Sequence, residues 1–449
     1  MMPSPKAVLL VNPWIYDFTA YDFWLKPLGL LYVASVLREN ADCRVDFIDC
    51  LDRHHPLLAT KPRAKPDGRG HFPKEEVAKP EVLKNVPRKY SRYGIPVPLF
   101  QHELERVPHP EAVLLTSSMT YWYPGVQHVI ELIRQKWGQV PIILGGLYAT
   151  LAPEHARLHS GADIIVRGAG ENAVLPLLRE ILGDKHVRPK EISGLEEMPF
   201  PAFDLLRNKD SLPLLTSRGC PFRCSFCATP LLYRNFEQRP SLSVISEIEM
   251  SMRQWGTRHL SFYDDALLIG KESHLLPLLE LLAEKQWPLA FHTPNGLHVR
   301  EIDAAAACLF RKTGFRSLYL SQESFDEELL ERACPKVTGE DLAKALDILE
   351  RAGYRRKGVN VYLIAGLPGQ DLRFIKDSII EVRRLGARPR LAFFSPVPGT
   401  VEWDRLIDKG YLSVDADPLL HNKLAFAYLW GEISRQEFDS LKDLLREEP

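Results

Sequence analysis

Short apolar runs alternate with helically patterned segments along most of this 449-residue chain. In the second half, helical segments lead into apolar runs such as HLSFYDDAL (259–267), SLYLSQES (317–324) and GVNVYLIAGLPGQ (358–370). Strands joined by helices lie parallel, and their sheets are covered by helices on both faces. Turn residues follow these strands at their carboxyl ends, where barrel enzymes place their sites. The pattern therefore predicts an α/β fold.

The same alternation occupies the first 190 residues. Near-continuous apolar strands are present in KAVLLVNPW (6–14), AVLLTSSMT (112–120) and VPIILGGLYATL (140–151). This pattern predicts an open, doubly wound, Rossmann-like sheet. No G-x-G-x-x-G motif follows the first strand, so the sequence does not favour a dinucleotide site.

Three regions follow from these patterns. Residues 1–190 are predicted to form the Rossmann-like domain, with a basic, proline-rich insertion at about 53–110. Residues 191–400 are predicted to form a partial (β/α)6 TIM-like barrel, and residues 401–449 a small helical region.

Composition narrows the functional classes. The chain is 45% hydrophobic and 26% charged, with a formal net charge of −1, so no global charge favours nucleic acid or a membrane surface. No apolar run approaches the roughly 20 residues of a membrane-spanning helix, and the N-terminal apolar run is too short for a signal peptide. An odd set of seven cysteines with three clustered is no disulfide framework, so we expect a reducing, cytoplasmic setting.

Cys220, Cys224 and Cys227 lie within eight residues of SRGCPFRCSFCATP (217–230). Structural zinc takes four ligands, and the other cysteines are distant in sequence. An all-cysteine iron–sulfur cubane also takes four thiolates, so three leave one iron open to an exogenous ligand. The alternative is a set of buried or loosely zinc-binding thiols. Those other cysteines, expected to be dispensable for cluster assembly, are Cys43, Cys50, Cys308 and Cys334.

This C-x3-C-x2-C segment, with the aromatic Phe226 before its third cysteine, resembles the radical S-adenosylmethionine (SAM) enzymes. The resemblance implies a [4Fe–4S] cluster on the three cysteines. It also implies that the open iron chelates SAM, which is then cleaved to a 5′-deoxyadenosyl radical.

Polar or small residues follow the later strands, and the resemblance assigns them to SAM. Asp264 or Asp265 would bind its amino group, Glu323 its ribose or amino group, and the GLPGQ loop would lie beside its adenine. Asn295 is a further candidate. The alternative is that the aspartates are helix caps and the glycines are turns. The implied SAM-binding residues are Phe226, Asp264, Asp265, Asn295, Glu323, Gly366 and Gly369.

A doubly wound domain before such a barrel resembles the cobalamin-binding radical SAM enzymes. The resemblance rests on NPW (12–14), PLGLLYVASVL (27–37), SSMTYWYPG (117–125), LGGLYATLAPEHA (144–156) and RGAGE (167–171). In that family the serine/threonine loop and the double glycine border a tunnel for the cobalamin nucleotide tail. The implied cobalamin-binding residues are Asn12, Ser117, Ser118, Thr120, Tyr121, Gly145, Gly146, Tyr148, Thr150, Gly168, Gly170 and Glu171.

The chain lacks the Asp-x-His-x-x-Gly motif that supplies a lower cobalt ligand in classical cobalamin proteins. The nearest match to that motif contains His54 and His55, but it follows the second strand and lacks the glycine. Either histidine is a candidate cobalt ligand; the alternative is that both are solvated loop residues. Some relatives keep the domain without the cofactor, so cobalamin is an expectation here.

The insertion at 61–93 holds ten Lys/Arg, four Asp/Glu and five prolines without periodicity. It is either a mobile basic loop or a lid over the site that contacts an anionic or peptide substrate.

Three functions remain open: C-methylation of an unactivated carbon, another radical reaction such as cyclisation, rearrangement or oxidation, and non-enzymatic electron transfer. Either enzyme would need a low-potential electron donor such as a flavodoxin or ferredoxin. The substrate, a small molecule or a peptide, is not specified. Tyr319, Tyr362 and His298 lie near strand ends and either face the cavity or serve in packing.

Overall fold

The computed structural model describes residues 6–335, 337–430 and 434–446. The chain divides into two compact units, which are Met1–Lys209 with Asp415–His421, and Asp210–Val414 with Asn422–Pro449. This division falls after residue 209, whereas the sequence pattern places the boundary after residue 190. It also assigns residues 415–421 of the expected C-terminal region to the first unit.

The first unit is built on a five-stranded parallel sheet with the order β3-β1-β6-β7-β8. Residues 8–11 of its β1 strand are completely buried, as a strand covered on both faces requires. The order is that of a doubly wound fold with its switch point between β1 and β6, where such folds bind ligands. The strands of this unit are β1 Lys6–Asn12, β2 Ile15–Asp17, β3 Cys43–Asp49, β4 Lys74–Glu76, β5 Ser91–Tyr93, β6 Ala112–Leu115, β7 Ile142–Leu144 and β8 Ile164–Ile165.

Helices connect these strands. Pro at the first turn of α2, α3 and α5 suits a position whose N–H has no intrahelical acceptor. The α-helices of the first unit are α1 Leu28–Asn40, α2 Val97–Arg106, α3 Tyr123–Trp137, α4 Gly146–Leu151, α5 Pro153–His159 and α6 Gly170–Leu182.

The basic insertion is ordered. Its β4 and β5 strands pair antiparallel with each other, and β5 also pairs with β2, which forms a small sheet. Phe72 and Tyr93 pack in a cluster with Ile15 and Leu51 of the surrounding domain. Arg92 of β5 is buried and its guanidinium forms an ion pair with Glu75 at 2.5 Å. The apolar cluster holds the insertion against its own unit, and the ion pair joins two strands within the insertion.

The second unit contains two four-stranded parallel sheets, ordered β15-β13-β12-β9 and β14-β16-β17-β18. The segments 290–298 and 315–323 each contribute a strand to both sheets, so six strand positions follow one another in chain order. This is the strand succession of the expected partial barrel, divided into two ladders. The strands of this unit are β9 Ser211–Leu214, β10 Ser217–Arg218, β11 Glu237–Gln238, β12 His259–Phe262, β13 Ala290–His292, β14 Leu297–His298, β15 Phe315–Ser317, β16 Tyr319–Glu323, β17 Asn360–Ala365 and β18 Arg388–Phe393.

Aromatic rings fill the interior beneath the first of these sheets. Phe262, Phe291 and Phe315 lie with ring centroids 5.3 to 5.7 Å apart, and Phe310 of α10 packs on Phe315 at 4.4 Å. The α-helices of the second unit are α7 Thr229–Leu232, α8 Ser241–Trp255, α9 Leu275–Lys285, α10 Ala304–Thr313, α11 Glu327–Ala333, α12 Asp341–Arg351, α13 Leu372–Arg384, α14 Val401–Asp408, α15 Lys423–Leu429 and α16 Arg435–Arg446.

Among the described residues, no helix has the length and apolar content needed to span a membrane.

Candidate active site

The three clustered cysteines lie on a loop that follows β9, the first strand of the second unit. Gly219 begins the loop at a φ of +87°, and a Cβ there would lie 2.5 Å from the carbonyl oxygen of Asn235, so only glycine fits. Cys224 is buried, while Cys220 and Cys227 are partly buried. Phe226, which lies between Cys224 and Cys227 in the sequence, is also partly buried. The loop thus presents its sulfurs from one short, sterically defined segment.

Two helices of the second unit hold the middle of this loop. The Ser225 backbone N–H donates to the carbonyl of Ala333 at the end of α11, at 2.9 Å. The Ser225 hydroxyl donates to the carboxylate of Glu402 on α14 at 2.6 Å, and the Glu402 N–H donates back to the Ser225 carbonyl at 3.1 Å. Arg405 pairs with the same buried carboxylate at 2.5 Å. Because Ser225 follows Cys224 directly, these bonds fix the position of that cysteine.

Thr229 contacts the third cysteine. Its backbone N–H donates to the Cys227 sulfur at 3.5 Å, and its hydroxyl oxygen lies 3.4 Å from that sulfur. Burial raises the pKa of the Cys227 thiol. Hydrogen bonds to ligand sulfurs are one means by which proteins set the potential of an iron–sulfur cluster.

A fourth cysteine lies beside the loop, although it is distant in sequence. The sulfur of Cys334, which follows α11, is 3.6 Å from the sulfur of Cys224, and both side chains are buried. The other three cysteines are elsewhere: Cys43 and Cys50 are in the first unit, and Cys308 is exposed on α10.

The two adjacent aspartates after β12 have different surroundings. Asp264 is buried, and its carboxylate accepts hydrogen bonds from the Thr216 hydroxyl at 2.7 Å and the Ser217 hydroxyl at 2.6 Å. It also accepts from the Thr216 N–H. Asp265 is partly buried and hydrogen-bonds to Thr229. Burial, followed by repulsion from Asp264, raises the pKa of Asp265 to about 6. Asp264 is therefore engaged in joining β9 to β12, and Asp265 is the better placed of the two to meet a ligand.

The remaining strand-end candidates also differ in role. Asn295 donates its amide to the carbonyl of Tyr263 at 2.8 Å, which ties two strand-end loops together. Glu323 ends β16 in the left-handed region, with a φ of +65°, at a shift in the register of β16 against β17. A non-glycine residue in that conformation is strained, and such strain is concentrated at functional sites.

The GLPGQ loop after β17 borders a cavity of about 450 Å³. Gly366 and Gly369 both have positive φ, and the Gly366 N–H donates to the side-chain oxygen of Gln370 at 2.8 Å. The other wall is aromatic and comes from the C-terminal segment of this unit: Tyr411, Phe426 and Trp430.

The three aromatic residues noted near strand ends all contact other aromatic rings. Tyr319 stacks on Tyr362 with ring centroids 5.2 Å apart, and the Tyr362 hydroxyl donates to the Pro294 carbonyl at 2.8 Å. His298 is buried with its ring 4.9 Å from that of Phe222, which lies inside the cysteine loop.

In the first unit, the loops after β6 and β7 touch each other directly. A Cβ on Gly146 would lie 2.6 Å from the Thr116 hydroxyl and 2.7 Å from the Ser117 carbonyl, and its φ is +87°. Gly145 has an extended φ of −120°, and a Cβ there would meet nothing closer than the Val166 carbonyl at 4.0 Å. Space for a ligand is therefore open at Gly145 and already filled by protein at Gly146.

Several other candidates of this unit form its internal framework. The Thr150 hydroxyl donates to the Gly146 carbonyl at 2.8 Å and accepts from the Gly168 N–H at 3.0 Å, so it links the two glycine loops. Tyr148 is fully buried and its hydroxyl bonds the ring of His155 at 2.7 Å. Of the remaining candidates, Thr120, Tyr121 and Glu171 are buried. The Thr120 hydroxyl lies 3.0 Å from the ring of His421. A Cβ on Gly170 would lie 3.4 Å from the Val33 side chain.

The switch point between β1 and β6 holds a narrow cavity of about 10 Å³. Asn12 ends β1 there and donates its amide to the Asp49 carboxylate at 2.7 Å. The Ser117 hydroxyl donates to the Met119 carbonyl at 2.9 Å, whereas Ser118 is partly exposed. Ligands of doubly wound folds bind at this position.

His54 and His55 are held by other side chains of their own unit. The His54 ring lies 2.9 Å from the Asn208 amide, and burial lowers the pKa of His54 to about 4. His55 is buried, with its ring 3.3 Å from Glu103 and 3.2 Å from Arg207. His55 is therefore not a solvated loop residue, and His54 is partly buried. With these partners, His54 and His55 line a separate polar cavity of about 390 Å³ after β3.

The donor set of the cysteine loop fits an iron–sulfur cluster. Three thiols stand on one loop, Thr229 donates toward one of them, and two helices fix the segment between them.

Comparison with known families agrees with this site. Residues 214–379 match the model of the Radical SAM superfamily, and residues 100–178 match that of the B12 binding domain. The chain therefore carries a radical SAM domain, and its cysteine loop lies at the start of the matched region. A B12 binding domain precedes it, and the cofactors of these two domains are a [4Fe–4S] cluster with SAM, and cobalamin.

Known relatives cover much of the chain at low identity. This chain is 23% identical over 414 residues to an uncharacterized methyltransferase, PH0819, of Pyrococcus horikoshii. The similarity covers 86% of this chain and 79% of that protein. This chain is also 23% identical over 339 residues to an anaerobic magnesium-protoporphyrin IX monomethyl ester cyclase of Cereibacter sphaeroides. That similarity covers 66% of this chain but only 53% of the cyclase.

The fold also resembles a solved structure. That solved structure is the radical SAM methyltransferase TsrM from Kitasatospora setae, with tryptophan and a SAM analogue bound. The TM-score is 0.66 at 17% identity, over 90% of this chain and 76% of that one.

Four residues beside the cysteine loop were not among the candidates from sequence: Ser225, Thr229, Cys334 and Glu402. Thr229 lies two positions after Cys227, so a search of the loop's own flanks would have found it. Cys334 and Glu402 are separated from Cys224 and Ser225 by 110 and 177 residues, and no local pattern marks them.

Proposed function

We propose that this protein is a cobalamin-dependent radical SAM C-methyltransferase. The observation that carries the proposal is the pairing of the two matched domains, with a three-cysteine loop at the start of the radical SAM domain. The methyltransferase name of the Pyrococcus relative supports the transfer of a methyl group.

In the radical SAM domain, Cys220, Cys224 and Cys227 bind the cluster. Asp265 and Glu323 contact the polar groups of SAM, and Asp265 takes this role because the carboxylate of Asp264 is occupied by Thr216 and Ser217. The GLPGQ loop lines the adenine side. Phe226 and Asn295 keep supporting roles, the latter by tying two strand-end loops.

In the first unit, which contains the B12 binding domain, we assign the nucleotide tail of cobalamin to the carboxyl edge of the five-stranded sheet. Asn12 lies at the switch point, Ser118 is partly exposed, and Gly145 has an open face. We therefore assign these three residues to the border of the tail site. Ser117, Thr150 and Gly146 shape that edge through their mutual contacts.

When bound, the cluster and SAM supply a 5′-deoxyadenosyl radical, and cobalamin supplies the methyl group. The contribution of the chain is to hold these partners and the substrate in line and to exclude water. Electrons come from a low-potential donor such as a flavodoxin or ferredoxin. The substrate is a small molecule or peptide with an unactivated carbon, and a reducing cytoplasm would keep the cluster thiols competent.

The experiment uses the full-length protein, reconstituted anaerobically with iron, sulfide and hydroxocobalamin. The reductant is titanium(III) citrate, and the methyl donor is deuteriomethyl SAM. Incubation with a small-molecule extract should yield a product heavier by the labelled methyl group, together with 5′-deoxyadenosine. The Cys220→Ala variant should yield neither.

The similarity to the cyclase makes ring formation the second candidate. A product that carries no deuterium and has lost hydrogen would favour it, and no 5′-deoxyadenosine under any condition would contradict both candidates.

A further inference from the structure

The sulfurs of Cys224 and Cys334 form a pair inside the second unit. They lie 3.6 Å apart, with relative exposures of 9% for Cys224 and 1% for Cys334. Cys334 follows α11 and lies 110 residues from Cys224 in sequence, so it reaches the loop through tertiary packing.

The backbone next to both cysteines is already held. The N–H of Ser225, the residue after Cys224, donates to the carbonyl of Ala333, the residue before Cys334, at 2.9 Å. A disulfide needs the sulfurs at about 2.05 Å. The remaining approach of the two sulfurs, about 1.5 Å, is of the size that rotation of the two side chains can supply.

We propose that Cys224 and Cys334 form a disulfide when the protein lacks its cluster and meets a peroxide. Two thiols and one hydrogen peroxide give one disulfide and two waters. The sulfurs together lose two electrons, the peroxide oxygens gain them, and the thiol protons leave in the water.

The disulfide and the cluster exclude each other, because a sulfur bonded to Cys334 is no longer a thiolate ligand. Oxidised, cluster-free protein therefore cannot accept iron at Cys224 until a thiol reductant reopens the bond. Thiol–disulfide exchange makes that step reversible. The bond thus stores the ligand in a recoverable form instead of leaving it open to irreversible oxidation.

The test uses full-length, cluster-free protein that has been reduced and freed of reductant. It receives one equivalent of hydrogen peroxide, then N-ethylmaleimide, and its peptides are identified by mass spectrometry. We expect a peptide pair joined through Cys224 and Cys334 that disappears with dithiothreitol. The Cys308→Ser variant, altered at an exposed cysteine on α10, should give the same pair.

A second readout is iron uptake without added thiol. Peroxide treatment should lower the iron bound by the wild type at least fivefold, and dithiothreitol should restore it. The Cys334→Ser variant should lose much less, and its circular dichroism shows whether it has folded. The proposal would be overturned if the wild-type peptides showed Cys224 alkylated by N-ethylmaleimide after peroxide treatment, or joined to Cys220 or Cys227. Neither readout depends on methyl transfer, so failure here is separable from failure of the proposed function.

Discussion

At the scale of single residues, adjacent side chains with the same chemistry have different roles. Asp264 and Asp265 are both aspartates after β12, and sequence alone leaves either as the SAM ligand. Hydrogen bonds from Thr216 and Ser217 occupy the first, while the second is partly exposed and hydrogen-bonds to Thr229. A buried carboxylate that accepts several hydrogen bonds serves the fold.

This contrast predicts opposite effects of two matched substitutions. Asp265→Asn should raise the SAM dissociation constant of the cluster-loaded enzyme tenfold or more, about 1.4 kcal/mol. Asp264→Asn should leave SAM affinity within about threefold and lower the free energy of unfolding by about 1–3 kcal/mol, because its buried partners lose an acceptor. Equilibrium dialysis and chemical denaturation measure the two effects. Equal SAM binding by wild type and Asp265→Asn would remove Asp265 from the site.

Asp49 of β3 provides a pH-dependent test. Burial, followed by repulsion from Asp52, raises the pKa of Asp49 to about 6, from an ordinary value of 3.8. The folded state therefore holds this proton more tightly than the unfolded state, and the associated stability is present below pH 4 and lost as the pH rises to about 6.

Asp49→Asn should raise the free energy of unfolding above pH 6 by about 2–3 kcal/mol and have little effect near pH 4. Asparagine keeps an oxygen to accept the Asn12 amide bond. Urea denaturation at both pH values measures this difference, with Asp46→Asn, at a partly exposed position on the same strand, as the control. A gain that is equal at pH 4 and pH 7 would show that ionisation of Asp49 is not its cause.

At the scale of elements, the carboxyl edge of the first unit's sheet is formed by loops in mutual contact. The β6 and β7 loops meet at Gly146, which the family resemblance places beside the nucleotide tail. A Cβ on Gly146 would overlap Thr116 and Ser117, so bulk at this position disturbs the protein itself. Gly145, one residue earlier, has an open face.

Gly145→Leu is therefore the informative substitution. It should melt within a few degrees of wild type, because its φ of −120° and its surroundings admit a side chain. It should also retain less than a tenth of the hydroxocobalamin through gel filtration, because leucine fills space assigned to the nucleotide tail.

Gly146→Ala is the matched comparison. It should lose stability with or without cobalamin, because its Cβ would overlap the β6 loop and its φ is +87°. Calorimetry and the visible spectrum of the eluted protein distinguish these cases. Full corrinoid retention by Gly145→Leu would place the tail elsewhere.

At the scale of the whole molecule, the chain forms two compact units with separate sheets. A ligand that binds only the folded form of one unit stabilises that unit by mass action. Hydroxocobalamin at about 100 times its dissociation constant should stabilise the full-length protein by about 2.7 kcal/mol.

Scanning calorimetry with and without hydroxocobalamin measures this stabilisation. Cobinamide, which lacks the nucleotide tail, should stabilise the protein less. Equal effects of the two corrinoids would contradict binding through the tail.

Much of this architecture was predictable from the chain alone. Alternation of apolar strands and amphipathic helices specifies parallel sheets, because only covered sheets accommodate strands that are apolar on both faces. The cysteine loop was also predictable, because its three thiols and its obligatory glycine lie within nine residues of one another and local spacing sets their geometry. The order of the insertion was not, since its buried contacts with Ile15 and Leu51 come from outside the basic segment.

Sequence by itself determined which chemistry this protein carries: three thiols on one loop, strand-end carboxylates, and small residues at the edge of a doubly wound sheet. Only the tertiary structure decided which aspartate is occupied, which glycine is open and which distant cysteine lies against the loop. The physical reason is distance along the chain. Local spacing fixes contacts within a turn or loop, whereas the contact between Cys224 and Cys334 spans 110 residues and exists only because the helices and strands between them pack as they do.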